Sequence, residues 1–203
     1  MRATNFFVSL LFLGCSLGGM AFADTTGLEH TDGYGLLPQA ARFSKEESEA
    51  IFQTGKQACQ SDCVSPFAEK LGENNHVAAY SNCKSSCITP EYTFMDVATK
   101  AMSVHTQDPQ KAGLHYVGVT YQCVEYARRW WMSNEGITFG DVDGAADIIY
   151  LTEVEAIASD KKYPMGRSIN GTAQRPPAKG DLVVYYPNRK DPKWRFGVSV
   201  HAL

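Results

Sequence analysis

The stretch Tyr116-Val117-Gly118-Val119-Thr120-Tyr121-Gln122-Cys123-Val124-Glu125-Tyr126-Ala127-Arg128-Arg129-Trp130-Trp131 changes its period in the middle. Residues 116–120 form a short β-prone run, whereas from Tyr121 onward Val124, Ala127, Trp130 and Trp131 recur at helical spacing. A strand is therefore expected to lead into a helix, with Cys123 just inside the helix start. Unsatisfied N–H groups and the macrodipole at that end favour an anion and so lower a thiol pKa. Gln122, immediately before, is an uncharged donor placed where it could help hold a tetrahedral oxyanion. A lone helical cysteine is more often a small buried hydrophobe, so spacing by itself leaves the role of Cys123 open. Glu125 reads as a structural hydrogen-bonding residue, Arg129 as solvated or ion-paired, and Trp130 and Trp131 as core and cleft-wall residues.

Downstream, residues 147–157 could form another helix. Arg175-Pro176-Pro177-Ala178-Lys179-Gly180-Asp181 must turn, and Leu182-Val183-Val184-Tyr185-Tyr186 reads as a largely buried strand. After the polar loop 187–195, residues 196–203 look like the start of the next strand. Upstream, Ser44-Lys45-Glu46-Glu47 is a capping box opening a helix through Ile51 and Phe52 to Cys63. Ser65-Pro66 and Thr89-Pro90-Glu91 repeat a cap-plus-proline signature, the second ahead of Phe94 to Met102, and a further helical piece is expected from Val77 to Cys87. Helices first and strands later give an α+β class.

The N-terminal residues carry a different signal. Arg2 is followed by an apolar stretch from Phe6 to Leu17 and by Ala21-Phe22-Ala23, the layout of a secretory leader cleaved after Ala23. The apolar run is shorter than the roughly 20 residues a membrane span needs. Leu13-Gly14-Cys15 loosely matches a lipoprotein box, and an uncleaved anchor is the other alternative. Loss of Cys15 with the leader leaves Cys59, Cys63, Cys83, Cys87 and Cys123. The first four form two Cys-x-x-x-Cys pairs, and on two antiparallel helices the nested pairing Cys59 with Cys87 and Cys63 with Cys83 is geometrically satisfactory. Other connectivities and a four-thiolate zinc site are the rival readings. Residues 24–43 read as a flexible leader and 44–104 as a disulfide-stapled helical unit, so the mature chain is expected outside the cytoplasm.

The segment from Tyr121 to Trp131, together with Gly136-Ile137-Thr138-Phe139, Asp141-Val142, Ile169-Asn170-Gly171-Thr172 and the Arg175 to Tyr185 turn and strand, resembles the cysteine, histidine-dependent amidohydrolase/peptidase (CHAP) domain. Within that superfamily it looks most like the amidase domain of glutathionylspermidine synthetase/amidase and trypanothione synthetase. The resemblance covers roughly Gly113 to Tyr186 and leaves the cysteine-rich segment outside. It implies a papain-like α+β fold over 105–203, with the cysteine on a helix packed against an antiparallel sheet that carries the histidine. Carried over by position, Cys123 is the nucleophile, Gln122 an oxyanion-hole contributor, and Arg128 an arginine facing the substrate cleft. Family order puts the base after the Gly-Asp-Leu strand, where His201 is the available histidine; His30, His76, His105 and His115 all precede Cys123. Family members place that histidine directly after a glycine, whereas Gly197 here is followed by Val198-Ser199-Val200 and then His201. Either the strand is offset and His201 is the base, or the base is lost. The orienting residue and closing strands of the family pattern are absent before Leu203, so the domain is expected to be truncated at its C terminus.

With a formal net charge of −3 and no long basic run, the electrostatic footprint of a nucleic-acid or anionic-membrane binder is missing. The resemblance implies a cofactor-free, metal-free thiol amidase whose substrate is a small peptide-like amide, a glutathione–polyamine conjugate. Two other readings stand beside it: an enzyme cutting peptidoglycan peptides, and an inactive binding module.

Overall fold

The computed structural model describes residues 5–10, 44–60, 62–169, 172–185 and 198–201, the first and last of these segments by their backbone. The cleavage site at Ala23, the 24–43 leader, Cys15, His30, Gly197, the 187–195 loop and the Asn170-Gly171 pair lie outside the described residues. Helix α1 spans Lys45–Ala58. It opens as expected: the Ser44 hydroxyl accepts from the Glu47 N–H at 3.1 Å while the Glu47 carboxylate accepts from the Ser44 N–H at 2.8 Å. It ends five residues short of Cys63, at a cap on Cys59. Gly55 lets the helix lie directly on the chain after Cys87, because a Cβ there would stand 2.8 Å from the Ile88 carbonyl oxygen.

Beyond α1 the cysteine-rich region is not helical, which corrects the expectation of a stapled helical unit over 44–104. The pieces expected as helices at 77–87 and 94–102 contain strands: β2 (Lys70–Asn74) pairs with β3 (Val77–Tyr80), and β4 (Tyr92–Asp96) pairs with β5 (Met102–His105) and β6 (Leu114–Val119). The reasons are local. Asn75 and His76 both take left-handed φ, +47° and +63°, and so close a two-residue hairpin turn. In β4 the aromatic and β-branched run Tyr92-Thr93-Phe94 fits a pleated ladder better than a helix. The proline at Pro66 sits in a turn, with its carbonyl accepting from Glu69, rather than at a helix start. The disulfides nevertheless pair as the nested reading has it, Cys59 with Cys87 and Cys63 with Cys83. They join the end of α1 to the chain beyond β3, and no cluster able to hold a metal occurs among the described residues.

Helix α2 (Cys123–Asn134) follows β6 directly. After it come β7 (Ile137–Phe139), a 3-10 turn over Ala145–Tyr150, β8 (Glu153–Ala156), β9 (Lys162–Ile169), β10 (Leu182–Tyr185) and β11 (Val198–His201). The helix expected over 147–157 is thus a short 3-10 turn followed by a strand. All these strands are antiparallel, in the order β11-β10-β1-β9-β8-β7. Strand β1 is Asn5–Leu10, within the expected secretory leader, and it fills the slot between β9 and β10. Helix α2 packs on this sheet through β11 and β7, and on the smaller sheets through β6 and β3. The main core lies in that layer: Trp130, Trp131, Ile148, Val154, Leu182 and Val184 are all at most 1 % exposed. A smaller cluster of Met95, Val117, Met132 and Ile157 fills the opposite side of α2. No helix among the described residues is long and apolar enough to cross a membrane.

Candidate active site at the start of helix α2

Cys123 is the first residue of α2 and lies outside both disulfides. The turn before it is unusual. Tyr121 takes φ +63°, a conformation that costs a non-glycine residue on the order of 1 kcal/mol and persists only where neighbours dictate it. Gln122 is the N-cap, yet its side chain makes no capping bond to its own helix. Its Nε2 donates to the Cys87 carbonyl at 2.9 Å, and its Oε1 accepts from Asn82 Nδ2 at 3.4 Å. An amide nitrogen carries two hydrogens, so one donor of Gln122 is committed to the Cys87 carbonyl and one is left for another acceptor.

The body of α2 is anchored by its charged residues. Arg128, expected to face a substrate, is 2 % exposed. Its Nε donates to the Phe139 carbonyl at 3.1 Å, Nη1 to the Val117 carbonyl at 2.6 Å and Nη2 to the Gly140 carbonyl at 2.9 Å. The guanidinium also stacks 4.6 Å from the Phe139 ring centroid. Burial pulls its pKa down, and Asp141, 3.5 Å from Nη2 and largely exposed, is the strongest group pulling it back up. Arg128 therefore ties β6, β7 and the loop after β7 to one helix position, with Asp141 leading from that clamp to the surface. Glu125 and Arg129, one helical turn apart, form a buried pair at 2.7 Å, and Arg129 Nη1 donates to the Ala78 carbonyl at 2.7 Å. Burial pushes the Glu125 carboxyl upward, opposed mainly by Arg129. The reading of Glu125 as a structural hydrogen-bonding residue and the ion-paired alternative for Arg129 fit this geometry, whereas the solvated alternative does not, since Arg129 is buried.

Gly118 brings β6 against this same turn. A Cβ at that position would stand 2.9 Å from both Cα and Cβ of Glu125, two residues beyond the thiol. Burial also raises the phenol of Tyr116, on β6, to about 12.

His201 closes β11 in register with Leu182. The backbone of His201 thus lies beside Leu182, whose own side chain is buried in the core beneath α2. Its end of the sheet is fixed by two ties. Trp131 Nε1 donates to the Gly180 carbonyl at 2.7 Å, and Lys179 Nζ reaches Asn75 Oδ1 at 2.7 Å, at the β2–β3 turn. Trp130 Nε1 donates to Asn74 Oδ1 at 2.9 Å beside the same turn. The Cys123 turn is at the other end of that hairpin, against Tyr80 and Asn82. Eight residues of helix, about 12 Å of axial rise, separate Cys123 from Trp131. The backbone position of His201 is thus at the end of the β10–β11 pair away from the Cys123 turn. Val198, the residue after Gly197, stands opposite Tyr185 at the end of β11 away from that tie. Of the other histidines, His105 in β5 bonds Ser103 at 3.0 Å, and His76 lies in the β2–β3 turn. His115 lies in β6 beside Met95.

Sequence reasoning missed three contributors to this site. Asn82 and the Cys87 carbonyl are brought to Gln122 across 40 and 35 residues, and the left-handed Tyr121 has no glycine to betray it.

No protein-family model matches the chain. Over 124 residues, 61 % of its length, the chain is 30 % identical to trypanothione synthetase of Crithidia fasciculata, and these residues make up 16 % of that protein. Over 121 residues, 59 % of its length, it is 32 % identical to the bifunctional glutathionylspermidine synthetase/amidase of Escherichia coli strain K12, covering 18 % of it. The same protein of Shigella flexneri matches to the same extent. The chain therefore spans less than a fifth of the length of these relatives, which are named as enzymes.

Proposed function

We propose that the chain is a thiol amidase acting on a small glutathione–polyamine conjugate outside the cytoplasm. The observation that carries this is the placement of Cys123. It is the one described cysteine outside the two bridges, it opens a helix buried from Ala127 to Met132, and one of the relatives is named an amidase. The fold supporting it is α+β, with helix α2 packed on an antiparallel sheet, and in this reading it is the arrangement of a papain-like CHAP domain. The two disulfides are consistent with an extracytoplasmic chain, for which the residues before Asp24 would be the leader.

The chemistry follows from the position. A thiolate at a helix N terminus attacks the amide carbonyl carbon; Gln122 and the N–H groups of the first turn are the donors for the resulting oxyanion. The C–N bond then breaks, an acid protonates the departing amine, and water hydrolyses the thioester to a carboxylate and regenerates the thiol. For a glutathione–spermidine amide the products are glutathione and spermidine. The acid and base role falls to His201. A slip of β11 by two residues would put His201 opposite Val184, on the same face and about 7 Å nearer the Cys123 end. Arg128, through Asp141 at the surface, marks the side from which a substrate would approach.

The test is direct. Purified protein incubated with glutathionylspermidine should release glutathione and spermidine, read by mass spectrometry, and Cys123→Ala should abolish release. His201→Gln should lower turnover without changing substrate affinity. A second reading, an inactive binding module, is favoured by the position of His201 at the far end of β11. No release by the wild type, together with equal ligand binding by wild type and Cys123→Ala, would establish it.

A further inference from the structure

Residues 59–91 lie outside the Gly113–Tyr186 motifs that carry the resemblance, yet they hold every residue of the turn that leads into Cys123. The Thr120 N–H donates to the Glu91 carbonyl at 2.8 Å. The Tyr121 ring meets Phe67 edge-on and lies tilted on Tyr80, both at 5.2 Å between centroids. Gln122 is fixed by the Cys87 carbonyl and Asn82. Cys87 is itself tied to the end of α1 by its disulfide to Cys59, and Cys83, next to Asn82, to Cys63. A strained tyrosine and an N-cap whose amide points away from its own helix would relax if nothing outside the turn held them. What holds them is the stapled segment.

We propose that the disulfide-stapled segment 59–91 is a positioning device for the attacking thiol: the Cys59–Cys87 bridge fixes the Cys87 carbonyl, that carbonyl and Asn82 fix Gln122, and Phe67 and Tyr80 fix Tyr121. This rests on the reading of Cys123 as the nucleophile. Gln122 then has two duties from its two amide hydrogens, one anchoring the turn and one facing the oxyanion. Asn82, Tyr80 and Phe67 are positioning residues, acting on the reaction only through that turn.

The experiment uses the full chain and reads the thiol before any substrate is added. The rate of Cys123 alkylation by iodoacetamide is followed against pH by peptide mapping in wild type, in the double variant C59S/C87S, and in Gln122→Met and Asn82→Ala with both bridges intact. Wild type should show a midpoint below the ordinary thiol value of about 8.5. C59S/C87S should move it up toward that value, and the two single variants should move it the same way by less. On glutathionylspermidine, C59S/C87S should lose roughly tenfold or more in kcat with little change in KM, since a misplaced attacking group costs the chemical step rather than binding. A folded C59S/C87S with the wild-type alkylation profile overturns the proposal. If that variant does not fold, unchanged profiles in both Gln122→Met and Asn82→Ala overturn it instead. A wild-type midpoint already at the ordinary value defeats both this inference and the amidase reading. Wild type with a lowered midpoint but no amide cleavage defeats the amidase reading alone, and the variants still decide the positioning.

Discussion

Arg128→Lys separates a scaffold role from a substrate role at the residue where sequence and structure pull apart. The guanidinium donates to three carbonyls on two chain segments, Val117 on one side and Phe139 and Gly140 on the other. A lysine keeps the charge but offers one point of attachment in place of a planar fork, so two of the three carbonyls lose their donor. Hydrogen bonds to a charged group contribute about 1.5–3 kcal/mol each, and the partner left buried and unsatisfied accounts for much of the cost. Two lost bonds therefore amount to about 3–6 kcal/mol, which spans the roughly 3–5 kcal/mol that breaking a buried charged pair usually costs. Loss of the stacking on Phe139 and Tyr116 adds to this. With a urea slope of about 2 kcal/mol per molar, the unfolding midpoint should drop by about 1.5 M or more, and Arg128→Met should drop it at least as far. Circular dichroism against urea, with both disulfides intact, measures it. A midpoint within about 0.3 M of wild type, together with a raised KM on glutathionylspermidine, would refute the clamp and return Arg128 to the substrate.

Other expectations follow from single contacts. Gly118→Ala should destabilise the fold by about 1–3 kcal/mol, because its Cβ would press on the backbone of Glu125, and the Cys123 turn should shift with it; urea melts and the alkylation profile read the two effects. Tyr116 keeps its proton in the folded chain to about pH 12 but would ionise near pH 10 when unfolded. Its contribution is complete below about pH 10 and is lost as pH rises from there through 12, so stability of wild type should fall over that window and that of Tyr116→Phe less steeply, as followed by thermal melts. Deleting residues 1–23 tests β1: removal of Asn5–Leu10 leaves facing ladder edges on β9 and β10, so the shortened chain should melt lower and self-associate in light scattering. An unchanged melt would show that the sheet closes without that strand.

What could be read in advance was what has a local cause. The capping box of α1 is four residues long, the start of α2 is a change of period, and the β10 strand is an apolar run behind a proline turn. Each was legible because the deciding interactions lie within a turn or two. Nested disulfide pairing was also reached, though from two helices that do not both exist: what brings Cys83 and Cys87 under α1 is a loop after a hairpin closed by Asn75 and His76 in left-handed conformations. The strands at 77–80 and 92–96 were missed because four or five residues cannot establish a period against helix-compatible neighbours. Arg128 is a different case: its cleft-facing role came only with the resemblance, and the convergence of three carbonyls from distant segments on its guanidinium has no signal in the local sequence.

The two halves of the candidate site differ in how they are built, and that difference decides where activity is most open to challenge. The Cys123 end is over-determined: Thr120, Tyr121 and Gln122 are each held by a different residue of the stapled segment, Gly118 admits the close approach of β6, and Glu125 and Arg128 lock the next turn of the helix. The end proposed to supply the base rests on the register of one strand pair, β10 with β11. A strand register depends on side-chain alternation and on the neighbour at its back, and the neighbour behind β10 is β1, the stretch read from the sequence as a leader. Processing of that stretch would therefore remove the strand that backs β10 while leaving the Cys123 turn untouched. Whether His201 meets the thiol thus depends on the sheet rather than on the helix, and measuring Cys123 alkylation in the shortened chain with His201 present or replaced by glutamine separates the two. A histidine effect on the pH profile only after residues 1–23 are removed would place the base in the processed form; an effect in neither form would leave the thiol without its partner.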